Sequence, residues 1–338
     1  MTHTGLNAQS ATGEKGFAGV DIGGTRIKVG LAHNSGQLLS SKVLEARNWQ
    51  DASSFLDAIA NEVRSQASSA AIRLTAAGIG CPGRIDFEAG KIVWLKSKLD
   101  FLEGVPLASG LGERLECPAV CDNDVNTILA GEMRFGAGRG YRDVIGITVG
   151  TGIGGALVIG GRMVRGRNWA TGHFGYMSLD PDGPRHVCGN TGIAEERASH
   201  SGILRKLRAA HEAGETSPLT EAIASGGEPG LRELFEAADA GDALGRRLAD
   251  RLISDLGLLV ANLVYAIDPE VVLVGGGIVT HRPEVLDAIR REGLLRIEYL
   301  PADGVKILPM ALGDAAGVLG GAALAMEAIT ENDRAIAH

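Results

Sequence analysis

Only four cysteines, Cys81, Cys117, Cys121 and Cys188, stand in the 338 residues. Their small number and irregular spacing exclude a disulfide framework and suit a reducing compartment, so they read as free thiols. No apolar segment runs long enough without charge to span a bilayer. The opening MTHTGLNAQSATGEK also lacks the basic-then-apolar layout of a secretory signal, and a cytoplasmic protein is expected. Positive charge is not in excess either. A formal net charge of −8 argues against a nucleic acid or an anionic membrane as partner, because those surfaces need clustered Lys and Arg. Small molecules are the expected partners. Aromatic residues make up only 4%, beside 45% hydrophobic and 22% charged, the composition of a globular α/β protein. Residues 1–16 are polar and without periodicity, and read as a flexible tail. The chain is long enough for two domains of about 100 to 200 residues each.

What is present begins with FAGVDIGGTRIKVGL, where Val20 and Ile22 flank Asp21, a Gly23-Gly24-Thr25 break follows, and Ile27, Val29 and Leu31 resume the alternation. That is a strand, a glycine turn and a second strand. GQLLSSKVLEA predicts a third strand, residues 53–69 a helix and LTAAGIG a buried strand, giving the order β-β-β-α-β. DVIGITVGTGIGGALVIGGRMVRG repeats the theme around Thr151, so the chain is read as two related halves. Leucines from Leu244 to Leu263 predict a long helix that stops before Asp268-Pro269 and leads into the strand VVLV.

Each glycine turn has two readings. Either it is only a tight hairpin, or its bare N–H groups form an anion-binding concavity into which a phosphate fits. Two matching turns in two related halves, with a third cluster at Gly275-Gly276-Gly277 after a buried strand, favour the second reading. Asp21, beside the first turn, would then suit a magnesium ion held through water. In AVCDNDVNTILAGEMRFGAG, Val125, Ile128, Leu129 and Met133 fall at helical spacing, placing Asp124 where a helix begins. Asp124 is either an N-cap or the acceptor of a hydroxyl proton, with Asp122 and Asn123 supplying further polar groups.

Taken in order, DIGGTRIK, GIGCPGRID, DNDVNTILAGEMRFGAG, VGTGIGGALVIGGRMVRG, NLVYAIDPEVVLVGGGI and LGDAAGVLGGAALA resemble the motifs of the ROK family, a group of sugar kinases and sugar-responsive repressors. The resemblance runs from Phe17 to about Ala325 and points to its sugar-kinase branch. It implies a two-lobed actin-like ATPase (ribonuclease H-like) α/β fold, with duplicated β-β-β-α-β-α-β-α halves and a cleft between them. Residues 17–125 with 313–330 would form a small lobe and 126–312 a large one. It further implies Asp124 as catalytic base, with Asn123, Glu195, His173 and Gly83 at the sugar. Asp21, Gly23, Gly24, Thr25 and Lys28 would lie at the first phosphate loop, Thr151, Gly152 and Gly154 at the second, and Gly275, Gly276 and Gly277 near the adenosine. The implied cofactors are ATP and Mg²⁺, the reaction is phosphorylation of a hexose or N-acetylhexosamine at its terminal hydroxyl, and the implied assembly is a homodimer.

The departures from the family pattern carry information. Where many members have Gly-Glu-x-Gly-His, this chain has Gly172-His173-Phe174-Gly175-Tyr176. The zinc segment C-x-C-G-x-x-G-C becomes HVCGNTGI, leaving His186, Cys188 and Ile193 at its ligand positions. Isoleucine cannot ligate, so no structural zinc is expected and Cys188 reads as a small buried thiol. His173 is read as either a weaker sugar ligand than the glutamate it replaces or a loop residue whose sugar contact is lost. A family asparagine aligns with Lys98, before Leu99. Two function classes follow from the resemblance, a kinase on the one hand and a sugar-sensing regulator or catalytically weak relative on the other. Only about 16 polar residues precede the first strand, too few for a three-helix DNA reader, and Asp124 is intact, which favours the kinase. A dehydrogenase is disfavoured because no G-x-G-x-x-G turn links strand to helix at the start.

Overall fold

The glycine break in the opening motif is the tip of a hairpin. The computed structural model describes residues 14–46, 49, 51–95, 99–301 and 304–336. In it β1 (Glu14–Ile22) and β2 (Arg26–Ala32) pair antiparallel, with Val20 opposite Val29 and Asp21 opposite Lys28. The strand starts inside the stretch expected to be a tail: Glu14, Lys15 and Gly16 pair in parallel with Ile72, Arg73 and Leu74. Those three residues carry no apolar alternation, and it is backbone pairing with a neighbouring strand that holds them. Residues 1–13 lie outside the described residues.

The first half continues as β3 (Leu38–Glu45), α1 (Ala52–Ser69), β4 (Ile72–Cys81), β5 (Arg84–Asp86), β6 (Lys91–Trp94), α2 (Leu107–Leu115), β7 (Ala119–Asn123) and α3 (Asp124–Phe135). α1 starts where the Asp51 carboxylate accepts the Ser54 N–H at 2.9 Å. Its apolar stripe, Phe55, Leu56, Ile59, Ala60 and Val63, is buried, and each large side chain so covered contributes about 1.5–3 kcal/mol. The five strands run in the order β3-β2-β1-β4-β7, with β4 and β7 parallel to β1.

The second half builds the same sheet again. β8 (Val144–Val149), β9 (Ile153–Ile159) and β10 (Arg162–Met163) form an antiparallel meander. Helices α4 (Ala194–Ala198), α5 (His200–Glu212), α6 (Pro218–Ala224), α7 (Leu231–Asp239) and α8 (Ala243–Ile267) follow. β11 (Val271–Gly275), α9 (Gly277–His281), α10 (Pro283–Leu294), β12 (Lys306–Pro309) and α11 (Ala316–Ile336) complete the chain. The order β10-β9-β8-β11-β12, with β11 parallel to β8 and β12, matches the first sheet strand for strand. α8 is capped by the Asp242 carboxylate on the Gly245 N–H and ends at Asp268 in the left-handed region, just before Pro269.

The chain divides into two compact units, Met1–Gly131 with Asp314–His338, and Glu132–Gly313. The first division falls within α3, beyond residue 125, because a continuous helix carries no local mark of a boundary. Each unit has its own apolar core, one running from Ala18 to Cys121, the other from Ile145 to Ile307. In the first unit α11 approaches the sheet backbone to backbone: a Cβ on Gly19 would lie 1.8 Å from the Val318 carbonyl oxygen, and one on Gly78 would lie 1.9 Å from that of Gly321. Only glycine permits that approach. Among the described residues no helix is long and apolar enough to cross a membrane.

Candidate active site

At the end of β7 the chain delivers three polar residues in succession, and each has a different job. Asp122 is buried at 1% exposure, and its carboxylate accepts the Asn123 N–H at 2.7 Å and the Asn126 side-chain amide at 2.9 Å. Asn123 is the N-cap of α3. Its side-chain oxygen accepts from the N–H groups of Val125 (2.9 Å) and Asn126 (3.3 Å), while its amide donates to the Gly83 carbonyl at 3.1 Å. Asp124, the first helical residue, accepts the Val125 N–H at 3.0 Å. The cap is therefore Asn123. Burial, and after it the charge of Asp21, push the Asp124 carboxyl up to about 6. A carboxylate of that basicity is matched to taking a proton near neutral pH.

Asp21 lies at the end of β1, and burial raises its carboxyl while Lys28 opposes the rise. Gly317, at the start of α11, makes room for it: a Cβ there would lie 2.4 Å from the Asp21 carboxyl. The Lys28 ammonium donates to the Asp314 carbonyl at 3.0 Å, tying β2 to the turn before α11. In the turn at residues 23–25, the Gly23 N–H donates to the Arg26 carbonyl at 2.9 Å, and Gly24 and Thr25 are exposed. Neither Gly23 nor Gly24 has a positive φ, and the Cβ position of Gly24 is open space. A tight primed hairpin turn would demand positive φ, so what glycine leaves at Gly24 is bare backbone. Gly83 is different. Its φ of 95° and the nearby Trp94 carbonyl require glycine for the backbone alone. Beneath these carboxylates Cys81 is fully buried, and burial together with Cys121, Asp124 and Asp21 pushes its thiol well up, leaving it an inert core residue.

In the second unit the turn at residues 150–152 closes by a Gly150 N–H bond to the Gly152 carbonyl at 2.9 Å. Gly150 again has an ordinary φ and open space at its Cβ position. Glu195, in the first turn of α4, reaches this loop: its Oε2 accepts the Ile153 N–H at 3.0 Å and occupies the space where a Cβ on Gly152 would lie. His200 and Ser201 N–H groups bond the Gly150 and Thr151 carbonyls at 3.0 and 3.1 Å, so the start of α5 fixes the loop from behind. Thr151 is exposed, and Gly154 pairs with Thr148 in the β8–β9 ladder. Of the third cluster, Gly275 is held by Met310 and Gly276 by its φ of 112° and the Val149 carbonyl, whereas Gly277 stands open.

His173 stacks on Tyr176, ring centroids 5.7 Å apart. His186 faces Glu196 at 3.6 Å, and Ile193 is fully buried in the core of the second unit. Cys188 is exposed, contrary to the expectation of a buried thiol, because it sits on the turn of a hairpin whose Arg185 and Thr191 form an isolated bridge. Among the described residues no group of three or more His, Cys, Asp or Glu side chains is placed to hold a metal ion. Lys98 lies outside the described residues.

Sequence reasoning missed Glu132. It is fully buried, and its two oxygens accept the N–H groups of Ala137 (2.8 Å), Ala311 and Leu312 (both 2.9 Å). A lone glutamate within the apolar run ILAGEMRF was the available signal.

A sheet built twice, each copy carrying an exposed glycine turn between its first two strands, defines the class of the actin-like ATPases. The chain belongs to the ROK family, whose model matches residues 17–328. It is 32% identical over 314 residues to a glucokinase of Thermotoga maritima, covering 92% of this chain and 97% of that one. It is also 29% identical to an N-acetyl-D-glucosamine kinase of Shigella flexneri, over 91% and 98% of the two chains. Among solved structures, a ROK hexokinase of Thermus thermophilus superposes with a TM-score of 0.79 at 30% identity, covering 94% of this chain and 99% of that one. A ROK glucokinase of Streptomyces griseus, in complex with glucose and AMPPNP, gives 0.73 at 30% identity, over 92% and 99%.

Proposed function

We propose that this chain is an ATP-dependent hexokinase that transfers the γ-phosphoryl group of ATP to the 6-hydroxyl of a hexose or N-acetylhexosamine, with Asp124 as general base. The observation that carries the reading is the division of labour at the start of α3. Asn123 caps the helix, and Asp124 keeps a carboxylate whose pKa of about 6 suits proton transfer. Similarity to glucokinases and to an N-acetylglucosamine kinase supports a hexose acceptor.

In the proposed step Asp124 accepts the hydroxyl proton, the sugar oxygen forms a bond to the γ-phosphorus, and the bond to the bridging β–γ oxygen breaks to release ADP. The open backbone at Gly24 and Gly150 and the hydroxyls of Thr25 and Thr151 bind phosphate oxygens, so that most of the remaining catalysis is positioning and charge stabilisation. The side-chain amide of Asn123 and the carboxylate of Glu195 orient sugar hydroxyls. Asp21 fits a magnesium ion: its charge raises the pKa of the Asp124 carboxyl, and a divalent cation beside it would relieve that repulsion. Magnesium, when bound with ATP, neutralises phosphate charge. A cytoplasmic location and a homodimeric state belong to the same proposal.

The test is ATP consumption across glucose, mannose, fructose, allose, glucosamine and the N-acetylated hexosamines, with the product identified by phosphorus NMR. One or more sugars should give a 6-phosphate in stoichiometric yield with ADP. Turnover with none of them would overturn the reading.

A further inference from the structure

Three rings stand in file in the second unit. The His173 and Tyr176 planes are 20° apart at 5.7 Å, and the Tyr176 and His186 planes are 32° apart at 5.8 Å. These separations lie in the range of offset-stacked aromatic pairs. The three residues come from two different stretches. His173 and Tyr176 bracket a single helical turn, closed by the Tyr176 N–H on the His173 carbonyl at 3.1 Å. His186 belongs to the hairpin at residues 185–191, closed by its own N–H on the Asn190 carbonyl at 2.8 Å. The stack joins them, and further contacts hold its His186 end and its middle plate. The His186 Nδ1 accepts the Cys188 N–H at 3.2 Å and its Nε2 faces the Glu196 carboxylate, while the Asn190 side-chain amide donates to the Tyr176 carbonyl at 3.0 Å. Immediately after the hairpin, the Ala194 N–H bonds the Met177 carbonyl at 2.9 Å and α4 begins, with Glu195 in its first turn. The Tyr176 hydroxyl has its pKa raised by burial and by the Glu195 charge, which puts the tyrosine within the electrostatic reach of that carboxylate.

We propose that Tyr176 is a positioning residue for sugar binding: as the middle plate of the His173–Tyr176–His186 stack, it holds His173 and the Glu195-bearing segment in fixed register. This rests on the reading of His173 and Glu195 as sugar-side residues. The ring, and not the hydroxyl, does the work, because stacking needs the aromatic face. The phosphate-loop contacts made by His200 and Ser201 on the Gly150 and Thr151 carbonyls do not pass through Tyr176. Its loss should therefore be felt by sugar before ATP.

The experiment measures KM for sugar, KM for ATP and kcat in Tyr176→Phe, Tyr176→Leu and Tyr176→Ala, with backbone hydrogen exchange of residues 172–196 followed in the same proteins. Tyr176→Phe should stay within about twofold of the parent in every constant. Tyr176→Ala should raise sugar KM about tenfold or more, leave ATP KM within about twofold, and speed exchange in both residues 173–176 and 186–193. Tyr176→Leu, which keeps apolar bulk, serves if the alanine variant does not fold, with the same expected split. An unchanged sugar KM, an equal rise in both KM values, or unaltered exchange would overturn the proposal. If the parent phosphorylates no sugar, the kinase reading fails by itself. The stack is then judged on exchange alone: faster exchange in both stretches supports it, and exchange confined to residues 173–176 sinks it.

Discussion

The sheets β3-β2-β1-β4-β7 and β10-β9-β8-β11-β12 share strand order and direction, yet the two units are packed by different means. In the first, α11 meets β1 and β4 through glycine, with Gly19, Gly78 and Gly321 removing the side chains that would separate the backbones. In the second, the core is filled by long side chains, and the leucines of α8 from Leu244 to Leu263 supply much of it. The chemistry is divided as well. The first unit holds the carboxylates Asp21, Asp122 and Asp124, whereas the second holds Glu195 and the His173–Tyr176–His186 stack. What the two share is the open glycine turn, at Gly24 in one and Gly150 in the other, where neither packing nor backbone dihedral asks for glycine. A duplicated framework that keeps one feature in both copies and lets its packing diverge supports the proposal that the kept feature binds phosphate.

The largest effect is expected where the first unit has no counterpart in the second. Asp124→Asn should lower kcat by about 10²- to 10⁴-fold, the usual worth of a positioned base. Folding should not suffer, because Asn123 holds the cap. Stability should even rise. A carboxyl raised from 3.8 to about 6 favours the folded state while protonated; that contribution is complete below pH 3.8 and is lost as pH climbs through about 6. At pH 7.5 the ionised carboxylate therefore costs stability, and asparagine removes a cost of about 1–2 kcal/mol after allowance for its partial exposure. In the parent, kcat should fall as pH drops through about 6, the range in which the base becomes protonated. Kinetics and thermal melts on the same two proteins check both halves. A variant that is active to within a few-fold would return Asp124 to a structural role.

Much of this was legible in sequence, and the exceptions have physical causes. The two hairpins, α1, α8 and the start of α3 announce themselves by apolar period and by breakers. The identity of the cap at that start does not, since Asn123 and Asp124 are equally good cap residues and only the direction of a side chain separates them. Strand β1 begins at Glu14, where pairing with β4 needs no apolar signal. Glu132 escaped because its three partners include Ala311 and Leu312, nearly the length of a domain away in sequence. Cys188 was misjudged because ligand arithmetic says what a thiol cannot bind and nothing about its exposure. The glycines of AAGVLGGAALA look alike in the string, and only the positions of Val318 and Gly321 against Gly19 and Gly78 show that some serve close packing.

Glycine substitution separates the packing role from the shared one. Gly78→Ala places a methyl 1.9 Å from the Gly321 carbonyl oxygen, a collision with backbone that no side-chain rotation relieves. It should cost about 2–3 kcal/mol or more. Gly24→Ala and Gly150→Ala meet open space at ordinary φ and should leave stability unchanged or raise it by about 0.4–1 kcal/mol through the unfolded chain. Both should raise KM for ATP about tenfold while sugar KM moves little. Denaturant melts and steady-state kinetics on the three variants decide the matter. Loss of stability in the turn variants, or an unchanged ATP KM, would show the turns to be ordinary hairpins.

The smallest effect is expected at Cys188. The hairpin that carries it has the outline of a metal-binding loop without the means to hold a metal. Ile193 is sealed in the core at 0% exposure. His186 has committed one ring nitrogen to the Cys188 N–H and turned the other toward Glu196, and the aromatic stack and the Asn190 bond to the Tyr176 carbonyl order the loop by other contacts. A tetrahedral zinc needs four nitrogen or sulfur ligands, and an exposed thiol with one engaged imidazole falls short of that number. Cys188→Ser should therefore leave kcat, both KM values and the melting temperature at their parental values, since a surface change away from any cap or buried contact stays within about 0.5 kcal/mol. The dialysed parent should contain no stoichiometric zinc by elemental analysis. One tightly held zinc per chain, lost together with activity in Cys188→Ser, would mean that a metal orders this loop and that the stack is secondary to it.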